Sequence, residues 1–290
     1  MNKHADIEAL IKLLEDPDEN IYFQIRKELI DLGPSVIPEL ENRWEEESSL
    51  GLLFQSRVED LIHDIQFNSV KKEIREWRDS DDHDLLRGMY LIAKYQYPDL
   101  TYEALDRAIE SIKKEIWIEL NSRLTAFENV RIINHVLFNV HNFQGNTSNY
   151  HAPQNSFLNN VLDTCKGNPI SLSVIYTLIG QRLGLPIYGV NLPRHFVVAY
   201  VDPVFQSDHP TEENVLFYIN PFSKGSVFGI DELKDFVQQI NLPDQSQFFN
   251  PCDSISIVNR VLNNLINSYN KLGYPEKVEE LKILQNTLIG

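Results

Sequence analysis

The chain is 290 residues long, 42% of them apolar, with 26 basic and 42 acidic side chains and a net charge of −16. That length buries enough for one large domain or two or three modest ones. The charge argues against nucleic acid and anionic membrane as partners, since both are bound through basic patches, and no apolar run approaches a membrane span.

Through Ser80 there are 10 basic and 19 acidic residues, so most of the negative charge lies in the first part of the chain. Solubility is the simplest reading of it. The two cysteines, Cys165 and Cys252, are too few for a disulfide framework and fit a reducing compartment. Residues 1–8 lack a signal-peptide apolar region, and the expected location is the cytoplasm.

Helices come first. Ile7, Leu10, Ile11 and Leu14 fall at helical spacing, followed by Tyr22, Ile25, Leu29 and Leu32, then by Ile37, Leu40 and Trp44. Asp16-Pro17-Asp18 ends the first helix, and Leu32-Gly33-Pro34-Ser35 ends the second and caps the third. Residues 50–77 continue as helix, as do 84–95 and most of 102–143, with a polar break at 78–82 and another at 97–99. Trp44, Trp77 and Trp117 sit within helical patterns and are expected in the core. Residues 142–155 read as loop, 157–162 as a short helix, and 169–183 as a helix with Asn168 as N-cap.

Strand signals begin only after Gly184: residues 187–190, 195–201 and 215–219 are rich in β-branched and aromatic side chains. Residues 202–214 form a long loop between the last two. Residues 230–240 return to helix. Residues 256–269 and 275–288 form a helical hairpin, with Val258, Leu262, Leu265 and Tyr269 as its buried stripe. Helices first and strands in one later cluster predict an α+β fold, mostly helical, with a small antiparallel sheet.

The order of elements between Gly167 and Asn220 carries the chemistry. A thiol at a helix N-terminus becomes thiolate readily, because the free N–H groups and the dipole favour the anion. A histidine takes its proton, and a third polar group orients the histidine. The chain offers a helix start at Asn168-Pro169, a histidine at 195 before a strand, and an amide at the strand end, Asn220. An Asn can orient a His; Pro169, suited to the first helical turn, offers no nucleophile.

Gln144-Gly145-Asn146 and Tyr150, Gly167-Asn168-Pro169-Ile170-Ser171, Gly184-Leu185-Pro186, Gly189-Val190-Asn191-Leu192-Pro193, His195-Phe196, Asn220-Pro221-Phe222 and Asn259-Arg260-Val261-Leu262-Asn263-Asn264-Leu265 occur in one order. Together they resemble the SirB-one-type branch of the transglutaminase-like superfamily, over roughly residues 84–290. The string 32–40 is similar to a HEAT repeat, and the last helix pair to a tetratricopeptide unit.

The resemblance implies a papain- or transglutaminase-like core over 81–252, a HEAT-like helical segment over 1–80, and a C-terminal helical hairpin, 253–290, packed on the core. It places the superfamily's catalytic Cys, His and Asp on Pro169, His195 and Asn220. The branch usually has proline at the first position and Asp at the last, so Asn220 is this chain's own departure.

Two readings stand side by side. In one, the protein is non-catalytic and its cleft, with Asn168, Arg194 and His195 as candidate binding residues, serves a protein or peptide partner in a binding or regulatory role. In the other it is a thiol hydrolase or acyltransferase whose displaced nucleophile, Cys165, works with His195 and Asn220. Cys165 otherwise packs in its loop, Ser171 bonds within its helical turn, and Arg194 either binds an anionic group or covers surface. No metal or nucleotide cofactor is expected. His135 and His141 do not share a helical face, and no paired Cys-x-x-Cys, His-Glu-x-x-His or Gly-rich phosphate loop occurs.

Overall fold

The protein is described from a computed structural model covering residues 3–46, 51–205, 210–241 and 245–290. Residues 1 and 2 of the N-terminal segment read above, Leu50, and residues 206–209 of the long loop lie outside the described residues. The chain divides into two units, Met1–Glu76 and Trp77–Gly290, so the C-terminal helix pair falls within the second.

In the first unit, α1 (Lys3–Lys12) runs into a 3-10 turn that stops before Pro17. Asp18 then caps α2 (Glu19–Leu32), its carboxylate accepting from the Asn20 amide at 2.9 Å. Gly33 ends α2 at φ 73°, a left-handed conformation that favours glycine. Pro34 opens a second 3-10 turn leading into α3 (Ile37–Glu46), and α4 (Leu52–Arg78) follows. The apolar stripes converge: Ile11, Leu14, Tyr22, Ile25, Leu29, Val36, Leu40, Phe54, Val58 and Leu61 form one buried cluster.

The second unit continues with α5 (Leu85–Gln96), α6 (Tyr102–Glu119), α7 (Ala126–Asn134) and a π-helical turn over His135–Val140. Two-residue strands β1 (Gln144–Gly145) and β2 (Lys166–Gly167) pair in parallel on either side of α8 (Leu158–Thr164). Strands therefore begin before Gly184, contrary to expectation, because a two-residue bridge has no periodicity to read. Next come α9 (Pro169–Arg182), β3 (Ile187–Val190), β4 (Val197–Val201), β5 (Val215–Asn220), β6 (Ser226–Phe228) and α10 (Ile230–Gln239). The unit closes with α11 (Ser254–Leu272) and α12 (Pro275–Ile289), which pack along each other.

Strands β3 to β6 form an antiparallel sheet in chain order. Every residue of β4 is buried, which requires cover on both faces. Helix α9 packs against β3 and β4. On the other side Val197, Ala199 and Tyr218 cluster with Leu233 and Val237 of α10. Helix α9 is mostly apolar and buried from Pro169 to Gly180, Ser171, Ser173 and Thr177 included, as befits a helix enclosed by its own domain. Each buried Leu or Ile on it stabilises the fold by ~1.5–3 kcal/mol. The architecture is thus a mostly helical α+β fold. Of the three tryptophans, Trp77 is buried, but Trp44 is 37% and Trp117 65% exposed. Leu105, Ile109, Ile112 and Ile116 supply the buried stripe of α6, and Trp117 lies one position off it.

Candidate functional site

The start of α9 is closed by its own side chains. Asn168 accepts from the Ser171 amide at 3.0 Å, and Ser171 Oγ accepts from the Asn168 amide at 3.0 Å, a reciprocal capping box. The Ser171 hydroxyl donates to the Asn168 carbonyl at 3.2 Å, and Asn168 Nδ2 donates to Ser156 Oγ at 2.8 Å. Pro169 occupies the first helical position and is buried. A Cβ on Gly167 would come within 2.5 Å of Ser171 Oγ, so the close approach of the preceding strand to this box needs glycine. The Ser171 hydroxyl, two residues past the expected nucleophile position, is therefore committed at both its donor and its acceptor.

His195 stands at the other wall. The Leu192–His195 turn is closed by the His195 amide donating to the Leu192 carbonyl at 3.3 Å, with Arg194 at φ 62°. This turn delays the start of β4 to Val197, two residues after the expected strand start. Ser173 Oγ of α9 donates to the Phe196 carbonyl at 3.4 Å, which fixes the first turns of α9 beside the histidine. Antiparallel pairing of Val198 with Ile219 brings Asn220 to the same end of the sheet. Its side chain lines the same cavity as His195, and its Nδ2 donates to Ser223 Oγ at 3.2 Å. The carbonyl oxygen of that side chain also accepts from the Phe222 amide at 3.1 Å, so Asn220 shapes the turn after β5 as well.

Burial holds His195 below the ordinary histidine range. The neighbouring Asn220 side chain opposes that effect, and Arg260 adds to it. The ring is thus neutral at pH 7, with Phe222 edge-on at 6.5 Å and Phe236 tilted at 6.2 Å. His195, Asn220, Phe228, Glu232, Leu233 and Phe236 line a cavity of about 370 Å³. The sequence reading did not single out Glu232 or Phe236. Glu232 was legible only as a cap: its carboxylate accepts from the Gly229 amide at 2.6 Å.

A second cavity, about 710 Å³, is lined by Asn168 and Arg194 together with Tyr150, Arg260 and Lys271. The Phe222 ring is edge-on to Tyr150 as it is to His195. The structure thus places two of the candidate binding residues, Asn168 and Arg194, on one cavity and His195 on the other.

Cys165 lines neither cavity. It caps the end of α8 at φ 54°, and its thiol faces the Leu162 carbonyl at 3.8 Å. Its carbonyl accepts from the Gln144 amide at 2.9 Å. Burial, with Asp163 beside it, pushes the thiol up, so it is protonated at neutral pH. Cys252 is pushed up to about 12, mainly by burial. Among the described residues no group of three His, Cys, Asp or Glu side chains could hold a metal, and no helix is long and apolar enough to cross a membrane.

A model of the transglutaminase-like superfamily matches residues 103–263, a span that holds Asn168, Pro169, His195, Asn220 and Arg260. A UPF0162 protein of Xylella fastidiosa (strain 9a5c) is 31% identical over 197 residues, 66% of this chain and 66% of that protein. F-box only protein 21 of Mus musculus is 25% identical over 189 residues, 65% of this chain but 27% of that protein. A UPF0162 protein of Vibrio cholerae is 23% identical over 145 residues, half of each chain. The match thus spans just under two thirds of the length of the Xylella relative and about a quarter of the mouse one. No solved structure matches the chain.

Proposed function

The chain belongs to the transglutaminase-like superfamily, and from that premise we propose that it is a non-catalytic member, a cytoplasmic module that binds a protein or peptide segment and acts through that binding. The observation that carries this reading is the closed helix start. Where acyl transfer needs a nucleophile, the chain has buried Pro169, and the capping box of Asn168 and Ser171 uses the neighbouring polar groups. A neutral His195 beside Asn220 supports the same reading, since it is the remainder of a proton-transfer pair with no proton to take.

The competing thiol chemistry needs Cys165 as a thiolate close to His195. A thiol raised by burial, in a backbone held by the Gln144 bridge, opposes it. The two cavities supply room for a ligand, one of them walled by apolar Leu233 and Phe236. The motifs from Gly167 to Pro193 favour the SirB-one-type branch within the superfamily.

The test is selection from a displayed library of random peptides on the immobilised full chain. Peptides that share a pattern are expected, and Phe236→Ser should weaken the binding of at least one pattern about tenfold. A library that yields no peptide, or peptides indifferent to every change in both cavities, would contradict the reading.

A further inference from the structure

The larger cavity is a cationic site in a chain of net charge −16. Arg194, Arg260 and Lys271 line it, and among the described residues no Asp or Glu does. Among the described residues none of these three cations is ion-paired with a carboxylate. Arg260 bonds only through Nη1, to Asn191 Oδ1 at 2.8 Å and the Leu192 carbonyl at 3.3 Å. Its Nε and Nη2 carry no hydrogen bond within the described protein. Among the described residues the Lys271 ammonium meets only the His151 ring, at 3.1 Å. Burial holds the Arg260 guanidinium below the ordinary arginine range, and an anion beside it would reverse that direction.

The spacing gives the ligand a shape. Arg260, Asn263, Asn264, Asn267 and Lys271 follow the i, i+3, i+4, i+7, i+11 pattern of one helical face of α11. At 1.5 Å per residue, Arg260 and Lys271 lie about 16 Å apart along the axis. One phosphate or carboxylate cannot reach both ends, whereas an extended peptide of about five residues spans that length. The asparagine amides between the cations offer donors and acceptors that match a peptide backbone, although Asn263 Oδ1 already accepts from Gln285 Nε2 at 2.9 Å.

We propose that this cavity binds an extended acidic peptide segment along the polar face of α11. Arg260 and Lys271 take its carboxylates, and the three asparagines take its backbone. The proposal rests on the peptide-binding reading above and adds the chemistry of the partner. The chain's own charge repels such a ligand at long range. Beyond a Debye length, about 8 Å at physiological ionic strength, that repulsion is screened, and the cavity's own cations decide.

The test starts from the peptides that the library selection yields on the full chain. The expected pools are rich in Asp and Glu. Synthetic versions with those residues changed to Asn and Gln should bind about tenfold more weakly by fluorescence anisotropy. Arg260→Gln and, separately, Lys271→Gln should each weaken the acidic peptides about tenfold, with thermal unfolding as the check that each variant is folded. Lys271 is exposed, so its variant keeps the test decisive if Arg260→Gln does not fold. Peptides that bind without acidic side chains, or with no need of Arg260 and Lys271, would overturn this inference and leave the binding-module reading standing. Glutarate competing as well as the whole peptide would also overturn it, showing a site for small dicarboxylates. Absence of any peptide binding would overturn both.

Discussion

Arg57 in the first unit is 4% exposed and closed on every side. Its Nη1 donates to the Leu14 and Asp16 carbonyls at 2.8 Å, its Nη2 meets Glu19 at 2.8 Å, and its guanidinium lies 4.1 Å from the centre of the Tyr22 ring. Arg260 in the second unit is also drawn inward, yet its partners are one amide oxygen and one carbonyl. Burying a charge without a counter-charge is costly. Where the fold uses arginine as a strut, it surrounds the side chain with acceptors and a carboxylate. Where arginine faces a cavity, it is left uncompensated. The difference separates a structural cation from one that is open to a ligand.

The comparison breaks first at Arg57. Arg57→Met strands two carbonyls and is expected to lower the unfolding free energy of the first unit by ~2–4 kcal/mol. Arg260→Met should change stability by about 1 kcal/mol or less, because the loss of its bonds to Asn191 and the Leu192 carbonyl is offset by removal of a half-buried charge that has no counter-charge. Urea unfolding of both variants checks this, and equal losses would erase the distinction.

A smaller effect is expected where the second unit is closed like the first. Asn168→Ala removes the cap of α9 and the bond to Ser156, and should cost ~1–2 kcal/mol in the same assay. No loss would mean that the capping box does not hold the helix start.

Asn220→Asp sharpens the contrast at His195. A carboxylate beside the ring should raise the histidine pKa by about one unit or more, read by NMR titration. An unmoved value would place Asn220 away from the ring.

The smallest effect is in pH dependence. Burial puts the folded pKa of His195 below its unfolded value of about 6.5. Its contribution to stability is therefore full above about pH 6.5 and is lost as pH falls through the folded value. The stability difference between wild type and His195→Gln should shrink on acidification; a difference that grows would mean that the charged ring is the favoured form.

What the sequence made legible was local. Asn168, Pro169 and Ser171 predict a capped helix start because all the partners lie within one turn, and α9 begins there. Residues 187–190 read as a strand and form β3. The strand beginning at His195 was misplaced by two residues because the left-handed turn at Arg194 depends on a bond back to Leu192, which residue preferences do not encode. The exposed Trp117 was misplaced because a large aromatic side chain inside a helical pattern does not reveal which face it takes.

On α11 the apolar period was read, and the polar period on the opposite face was not. Its five positions gain meaning only when Arg194 and Tyr150 arrive from distant loops. Glu232 and Phe236 join the His195 cavity by the packing of α10 on the sheet, a long-range event with no local signature.

The measurement that tests the central claim most directly is the rate of Cys165 alkylation by iodoacetamide against pH, mapped by mass spectrometry in wild type and in His195→Ala, with Cys252 as internal control. The account predicts a thiol that reacts only as pH rises past the ordinary cysteine range and is indifferent to His195. A Cys165 that reacts fast below neutral pH, and slows when His195 is removed, would reveal a thiolate–imidazole pair and contradict the non-catalytic reading.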